Sequence, residues 1–221
     1  MISDDAAKSV DIARELYGAG FPSLKRYVDI LGTTAVQWGL LGPREADRLW
    51  DRHILNSAAL SELIPSNSSI ADVGSGAGLP GIPIALLRPD LEVTLIEPLL
   101  RRSNFLNQTV EALGVGDRVQ VVRSRAEDHS QRYDVVVSRA LAPLDRLIGW
   151  CNRLRAADGV ILALKGSSAA DEIRAARHQL EAARLTSEVL SVKIHPDAEP
   201  ATVVRLRGLG AMGSVGAAVT T

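Results

Sequence analysis

Between Asp72 and Gly81 the chain reads DVGSGAGLPG, with Gly74, Gly76 and Gly78 at alternate positions and Gly81 closing the run. Backbone without a Cβ turns sharply and lets a ligand approach closely, so this segment, Ser75 included, is a candidate binding turn. Its spacing leaves two ligands open. Read from Gly76, GAGLPG matches the dinucleotide fingerprint, in which backbone amides cradle a pyrophosphate. Asp72 favours the other ligand: a carboxylate two residues before the first glycine repels a pyrophosphate but attracts the sulfonium and ammonium of S-adenosylmethionine. Glu97, 23 residues after Gly74, suits the ribose hydroxyls of either ligand. Ala126 and Glu127, in SRAEDHS, fall in a loop where an adenine would lie against backbone and side chain. A solvated acid is the other reading of Glu127.

The turn needs a strand before it and a helix after it, and the pattern supplies both. Residues 4–19, 21–38 and 44–63 carry apolar residues near helical spacing, broken at Gly18, Gly20, Pro22 and LLGP. After the polar turn at 64–69 the pattern changes to β-branched runs: SIADV, LEVTLIE, RVQVVR, YDVVVS and GVILALK. Helical patterns lie between them, at about 80–88, 99–113, 142–155 and 168–185, with Pro80 suited to a first helical turn. Strands alternating with helices predict a parallel sheet covered on both faces. EVLSVKIH and ATVVRLRG follow with no helix between them, which predicts an antiparallel pair at one edge. The expected fold is α/β, a Rossmann-like, mostly parallel seven-stranded sheet with an antiparallel C-terminal strand. The expected divisions are an N-terminal helical extension (1–65), a core (66–208) and a disordered tail of small residues (209–221).

Composition narrows the function classes. The 221 residues, 46% of them apolar, suffice for one domain with a substantial core. No uncharged apolar run approaches a membrane span, and the polar start MISDDAAKSV reads as neither signal nor anchor, so a cytoplasmic location is expected. One cysteine, Cys151, and four unclustered histidines give no disulfide and no expected metal. A formal charge of −1 argues against indiscriminate nucleic-acid binding but leaves room for a basic face. At 4% aromatic, the chain is poor in base-stacking platforms.

Taken together, RHILNS (52–57), DVGSGAGLPGIPIAL (72–86), EPLLRRSNFL (97–106), RAED (125–128), YDVVVSRALAPL (133–144) and LALKG (162–166) resemble the RsmG (GidB) family over about residues 20–207. That family comprises bacterial methyltransferases acting on guanine N7 in small-subunit ribosomal RNA. The resemblance implies a class I methyltransferase using S-adenosylmethionine, bound at the positions of Gly74, Leu79, Ala126, Glu127 and Arg139. It implies 16S rRNA, the 30S subunit or an assembly intermediate as partner; a monomer is expected. The chain departs from the family in having Leu79 where an aromatic is usual and Glu97 where Asp is frequent. A nicotinamide-dependent oxidoreductase and a non-catalytic RNA-binding assembly factor with this fold are the competing readings.

Methylation at N7 uses an in-plane lone pair and needs no base, so positioning suffices. The chain lacks the Asn/Asp-Pro-Pro-aromatic clamp of amino-group methyltransferases, having Ser138, Arg139 and Ala140 instead, and Cys151 reads as an inert packed thiol. Arg139 and Lys165, at strand ends, are the candidates for positioning substrate. Arg139 offers a fork to carboxylate or phosphate, against an ion pair with Asp72 or Glu97. Lys165 reads as a phosphate contact or a solvated lysine. Arg101 and Arg102 start a helix, a poor place for cations, so RNA phosphate is a candidate partner for them, as it is for a stripe of Arg44, Arg48, Arg52 and His53.

Overall fold

A computed structural model describes residues 4–42, 45 and 48–210. The β-branched runs form β1 (Ser69–Val73), β2 (Glu92–Ile96), β3 (Val119–Val122), β4 (Tyr133–Arg139) and β5 (Arg155–Lys165), followed by β6 (Leu185–Val192) and β7 (Ala201–Gly208). They make one sheet in the order β3-β2-β1-β4-β5-β7-β6. Pairing is parallel from β3 through β5, and β7 runs antiparallel to both β5 and β6. The chain leaves β1 in one direction and returns to β4 on its other side. That reversal opens a crevice beyond the carboxyl ends of β1 and β4.

The helices are α1 (Asp4–Tyr17), α2 (Phe21–Ile30), α3 (Asn56–Ala58), α4 (Gly81–Leu87), α5 (Leu100–Leu113), α6 (Leu144–Leu154), α7 (Ala169–Ala175) and α8 (Arg177–Ala182). Three expectations shift. The helix expected over 44–63 is a π-helical turn, Leu49–Leu55, then α3, then a 3-10 turn, Ala59–Leu63. The single helix expected over 168–185 breaks at Ala176 into α7 and α8, and β6 begins three residues before EVLSVKIH. Pro80 immediately precedes α4. Of the expected tail, 211–221 lie outside the described residues.

Alternation along β4 explains why both faces need helices. Val135 and Val137 pack with Leu24, Tyr27, Leu31, Ile82 and Phe105 on one side, whereas Val136 meets Leu147, Ile148 and Cys151 of α6 on the other. The N-terminal helices therefore share the first core with α4 and α5. Leu24, Tyr27 and Leu31 are fully buried, and at about 1.5–3 kcal/mol per large apolar side chain their burial dominates the attachment. The exposed Lys25–Asp29 ion pair on the same helix contributes about 0–1 kcal/mol.

Candidate active site

The glycine turn folds over the ends of β1 and β2. Gly74 N–H donates to Ile96 O at 2.9 Å, and Gly76 N–H donates to Glu97 Oε2 at 3.0 Å. The other Glu97 oxygen accepts from Leu99 N–H at 3.0 Å, so one buried carboxylate ties the turn to the segment after β2. Gly74 and Gly76 have φ of +71° and +58°, a region that a side chain disfavours. Gly78 has a packing role: a Cβ there would stand 2.4 Å from Ile82 Cδ1. The N-terminal helices brace the turn from behind, Tyr27 Oη donating to Ala77 O at 2.9 Å and Tyr17 Oη to Pro83 O at 3.1 Å.

Two adjoining cavities open beyond the turn. One, of about 570 Å³, is lined by Gly74, Glu97, Arg102, Arg123 and Arg125 among others. The smaller, about 190 Å³, is lined by Ile96, Ala126, Glu127 and Trp150. A third, of about 790 Å³, lies beyond β4 and β5 and is lined by Arg52, Asn56, Arg139, Leu164, Lys165 and Glu172. Leu141 borders all three. Its side chain lies on Gly74, where a Cβ would come within 2.4 Å of Leu141 Cδ1.

Charged side chains of the third cavity are fixed by partners. Arg139 Nη2 donates to His53 Nδ1 at 2.6 Å, and His53 Nε2 meets Glu45 Oε2 at 2.7 Å. Burial and the Arg139 charge push His53 below the usual histidine range, against the pull of Glu45. Lys165 Nζ donates to Ala142 O and Glu172 Oε2, each at 2.7 Å. Burial works to raise the Glu172 carboxyl, but Lys165 and its other donors hold it below the ordinary range.

Several sequence candidates take different places from those expected. Asp72 is fully buried beneath the turn, because β1 directs it towards α4: Oδ2 accepts from Gly81 N–H at 3.0 Å and Oδ1 has no hydrogen-bond partner. Burial raises its pKa to about 7. Ser75 is buried with its Oγ donating to Asp72 O, and Leu79 packs into the core rather than against the crevice. Arg139 takes His53 in place of Asp72 or Glu97, and Lys165 is a buried ion pair rather than a free phosphate contact.

The cationic stripe divides. Arg48 pairs with Asp51 in solvent, Arg52 lies 3.5 Å from Glu45, and His53 turns inward, since the π-helical turn does not keep the four-residue face. Arg44 lies outside the described residues. Arg101 is exposed, and Arg102 has a carboxylate neighbour, Glu97, at 3.9 Å. Cys151 is buried, with its thiol pushed up to about 12. Sequence reasoning missed Glu45, Leu141, Trp150 and Glu172, which reach the site only through tertiary packing. Among the described residues no group of three or more His, Cys, Asp and Glu side chains could hold a metal ion, and no helix is long and apolar enough to cross a membrane.

Comparison with known proteins agrees with this architecture. A protein of Nocardioides sp. (strain ATCC BAA-499 / JS614), named ribosomal RNA small subunit methyltransferase G, is 48% identical over 215 residues, 93% of this chain and 85% of its own. One of the same name from Thermobifida fusca (strain YX) is 53% identical over 172 residues, 77% of this chain and 72% of its own. Among solved structures, M. jannaschii TYW2 in complex with AdoMet shares the fold with a TM-score of 0.55 at 17% identity, covering 72% of this chain and 76% of that one. The ribosomal protein L11 methylase of Lactobacillus delbrueckii subsp. bulgaricus does so with a TM-score of 0.54 at 16% identity, over 70% and 77%. The family described as rRNA small subunit methyltransferase G matches residues 20–199, and this chain belongs to it.

Proposed function

We propose that the protein transfers the methyl group of S-adenosylmethionine to N7 of a guanine in 16S rRNA, within the 30S subunit or an assembly intermediate, in the cytoplasm. The observation that carries this reading is the meeting, at Leu141, of a crevice beside the glycine turn, with Glu97, Asp128, Arg102, Arg123 and Arg125 in its wall, and a larger cavity lined by Arg52, Arg139, Lys165 and Glu172. Family membership supports the substrate class.

The residues fit the methyl donor. A ligand carrying a sulfonium, an ammonium and a carboxylate suits a crevice of mixed charge, with Glu97 beside Arg102, Arg123 and Arg125 in its wall and the unpartnered, buried Oδ1 of Asp72 beneath it. Asp72 acts there through its field, not by contact. Glu97 would accept the ribose hydroxyls, and the cavity of Ile96, Ala126, Glu127 and Trp150 would take the adenine. S-adenosylmethionine supplies an electrophilic methyl carbon. Guanine N7 attacks it with its in-plane lone pair as the carbon–sulfur bond breaks and the electron pair leaves with sulfur, so no proton moves. The task of Arg139 and Arg52 is then to orient the nucleotide through phosphate or base oxygen. In A-form RNA the N7 edge faces a deep, narrow groove, so the target guanine lies in a loop or opened segment.

Calorimetry against S-adenosylmethionine and NAD separates the two cofactor readings: heat with the former alone is expected. Labelled methyl should enter unmodified small-subunit RNA or particles. Binding of RNA without incorporation would favour a non-catalytic assembly factor.

A further inference from the structure

We propose that Glu172 and Lys165 are positioning residues that clamp the segment between β4 and α6 and so hold Leu141 on the glycine turn; the inference rests on the methyl-transfer reading above. The segment turns at Ala140, whose φ of +50° is disfavoured for a residue with a side chain. Such a conformation persists where surrounding contacts fix it. Here they come from β5 and α7. Lys165 Nζ, at the end of β5, donates to Ala142 O at 2.7 Å, and Leu144 N–H, at the start of α6, donates to Glu172 Oε2 at 3.0 Å. Lys165 Nζ and Glu172 Oε2 close the circuit at 2.7 Å, while Ser168 Oγ donates to Glu172 Oε1 at 3.2 Å. One carboxylate thus joins the starts of α6 and α7 to the end of β5.

The clamped carbonyl belongs to the residue after Leu141, so the clamp fixes where that side chain lies. Leu141 rests on Gly74 and borders all three cavities, which makes its position the width of the opening between the glycine turn and the space beyond β4 and β5. Methyl carbon and attacking nitrogen must meet in line there, and a misplacement of about 1 Å can cost about 10²-fold in rate. The side chain of Lys165 is 8% exposed and its charge is met by Glu172. It acts on the reaction through the backbone it holds, not as a free cation for phosphate. Hydrogen bonds assisted by charge are roughly twice as strong as neutral ones, which suits a clamp.

The test uses the full chain with unmodified small-subunit RNA, measuring the single-turnover rate at saturating RNA and S-adenosylmethionine and the salt dependence of KM for RNA, each variant well below its melting temperature. Glu172→Ala should lower the rate by at least about tenfold. Glu172→Gln, whose amide oxygen can accept from Leu144 N–H and Lys165, should recover most of it. Leu141→Ala should show a loss of similar size, and adding Glu172→Ala to it should cost no more than about threefold further, because both changes remove the same wall. Lys165→Met should keep the wild-type salt slope, whereas a lost phosphate contact would lower that slope by about one. A wild-type rate in Glu172→Ala or in Leu141→Ala overturns the inference. So does equal loss in the Ala and Gln variants, a double variant in which the two losses multiply, or a shallower slope in Lys165→Met. If Glu172→Ala does not fold, the Leu141→Ala rate and the Lys165→Met slope decide. A wild-type protein that transfers no methyl group overturns the function itself; one that does, with any of the preceding contrary results, overturns only the positioning role.

Discussion

The two sides of Leu141 are built by different means. On the side proposed for the donor, backbone groups do the work: the amides of Gly76 and Leu99, 21 and 2 residues from Glu97, converge on its carboxylate, and the left-handed turn at Gly74 and Gly76 sets the wall. On the side proposed for the acceptor, the wall includes long side chains held by other side chains, Arg139 by His53, 86 residues away, and Lys165 by Glu172, seven residues on. N-terminal segments touch both sides, the turn through Tyr27 Oη on Ala77 O and the other wall through His53 on Arg139, but only the second contact holds a charged group that lines a cavity. Donor binding and acceptor alignment should therefore fail separately.

The largest expected effect lies on the donor side. Gly76→Asp places a side chain at φ +58° and a second carboxylate beside Glu97 Oε2, so calorimetry on the folded variant should detect no heat with S-adenosylmethionine. Wild-type affinity would remove the turn from the donor site. Next comes Arg139→Lys, which keeps the charge but loses the fork. The single-turnover rate should fall by about 10²-fold, the scale of losing one oriented donor, with affinity for S-adenosylmethionine nearly unchanged. A parallel loss of cofactor affinity would move Arg139 to the donor side, as the family resemblance implies.

A smaller effect concerns Asp72. Its carboxyl titrates near 7 when folded against about 3.9 in an unfolded chain. The folded state thus holds more protons across that window, and stability falls as pH rises through it. Asp72→Asn removes this dependence, so its melting temperature relative to wild type should climb by about 5–10 °C between pH 5 and 8, while binding of the cationic donor weakens. A constant difference across that range would show that Asp72 does not titrate there. Smallest is the double change Arg101→Ala with Arg102→Ala: KM for RNA should rise by a few fold with a shallower salt dependence. Unchanged salt slopes would leave both as ordinary surface charges.

The contrast also explains what the sequence made legible. β1 and β7 match their β-branched runs residue for residue, and the turn, Glu97, Ala126 and Glu127 follow from where strands end. Asp72 was harder to read, since spacing alone does not say whether a residue at a strand end faces the crevice or the next helix. Lys165 and Arg139 are legible as strand-end cations, but their partners Glu172 and His53 lie 7 and 86 residues away, and nothing in the local pattern pairs them. The π-helical turn at Leu49–Leu55 likewise redistributes a stripe that regular helical spacing would have kept on one face.

The central claim is methyl transfer to an acceptor that gives up no proton. Its most direct test is to label unmodified small-subunit RNA or particles with the wild-type protein and S-adenosylmethionine, digest to nucleosides and identify the product by mass spectrometry. The account predicts 7-methylguanosine as the labelled nucleoside. Label on an exocyclic amine, a ring carbon or a ribose hydroxyl, or no label in RNA at all, would contradict it.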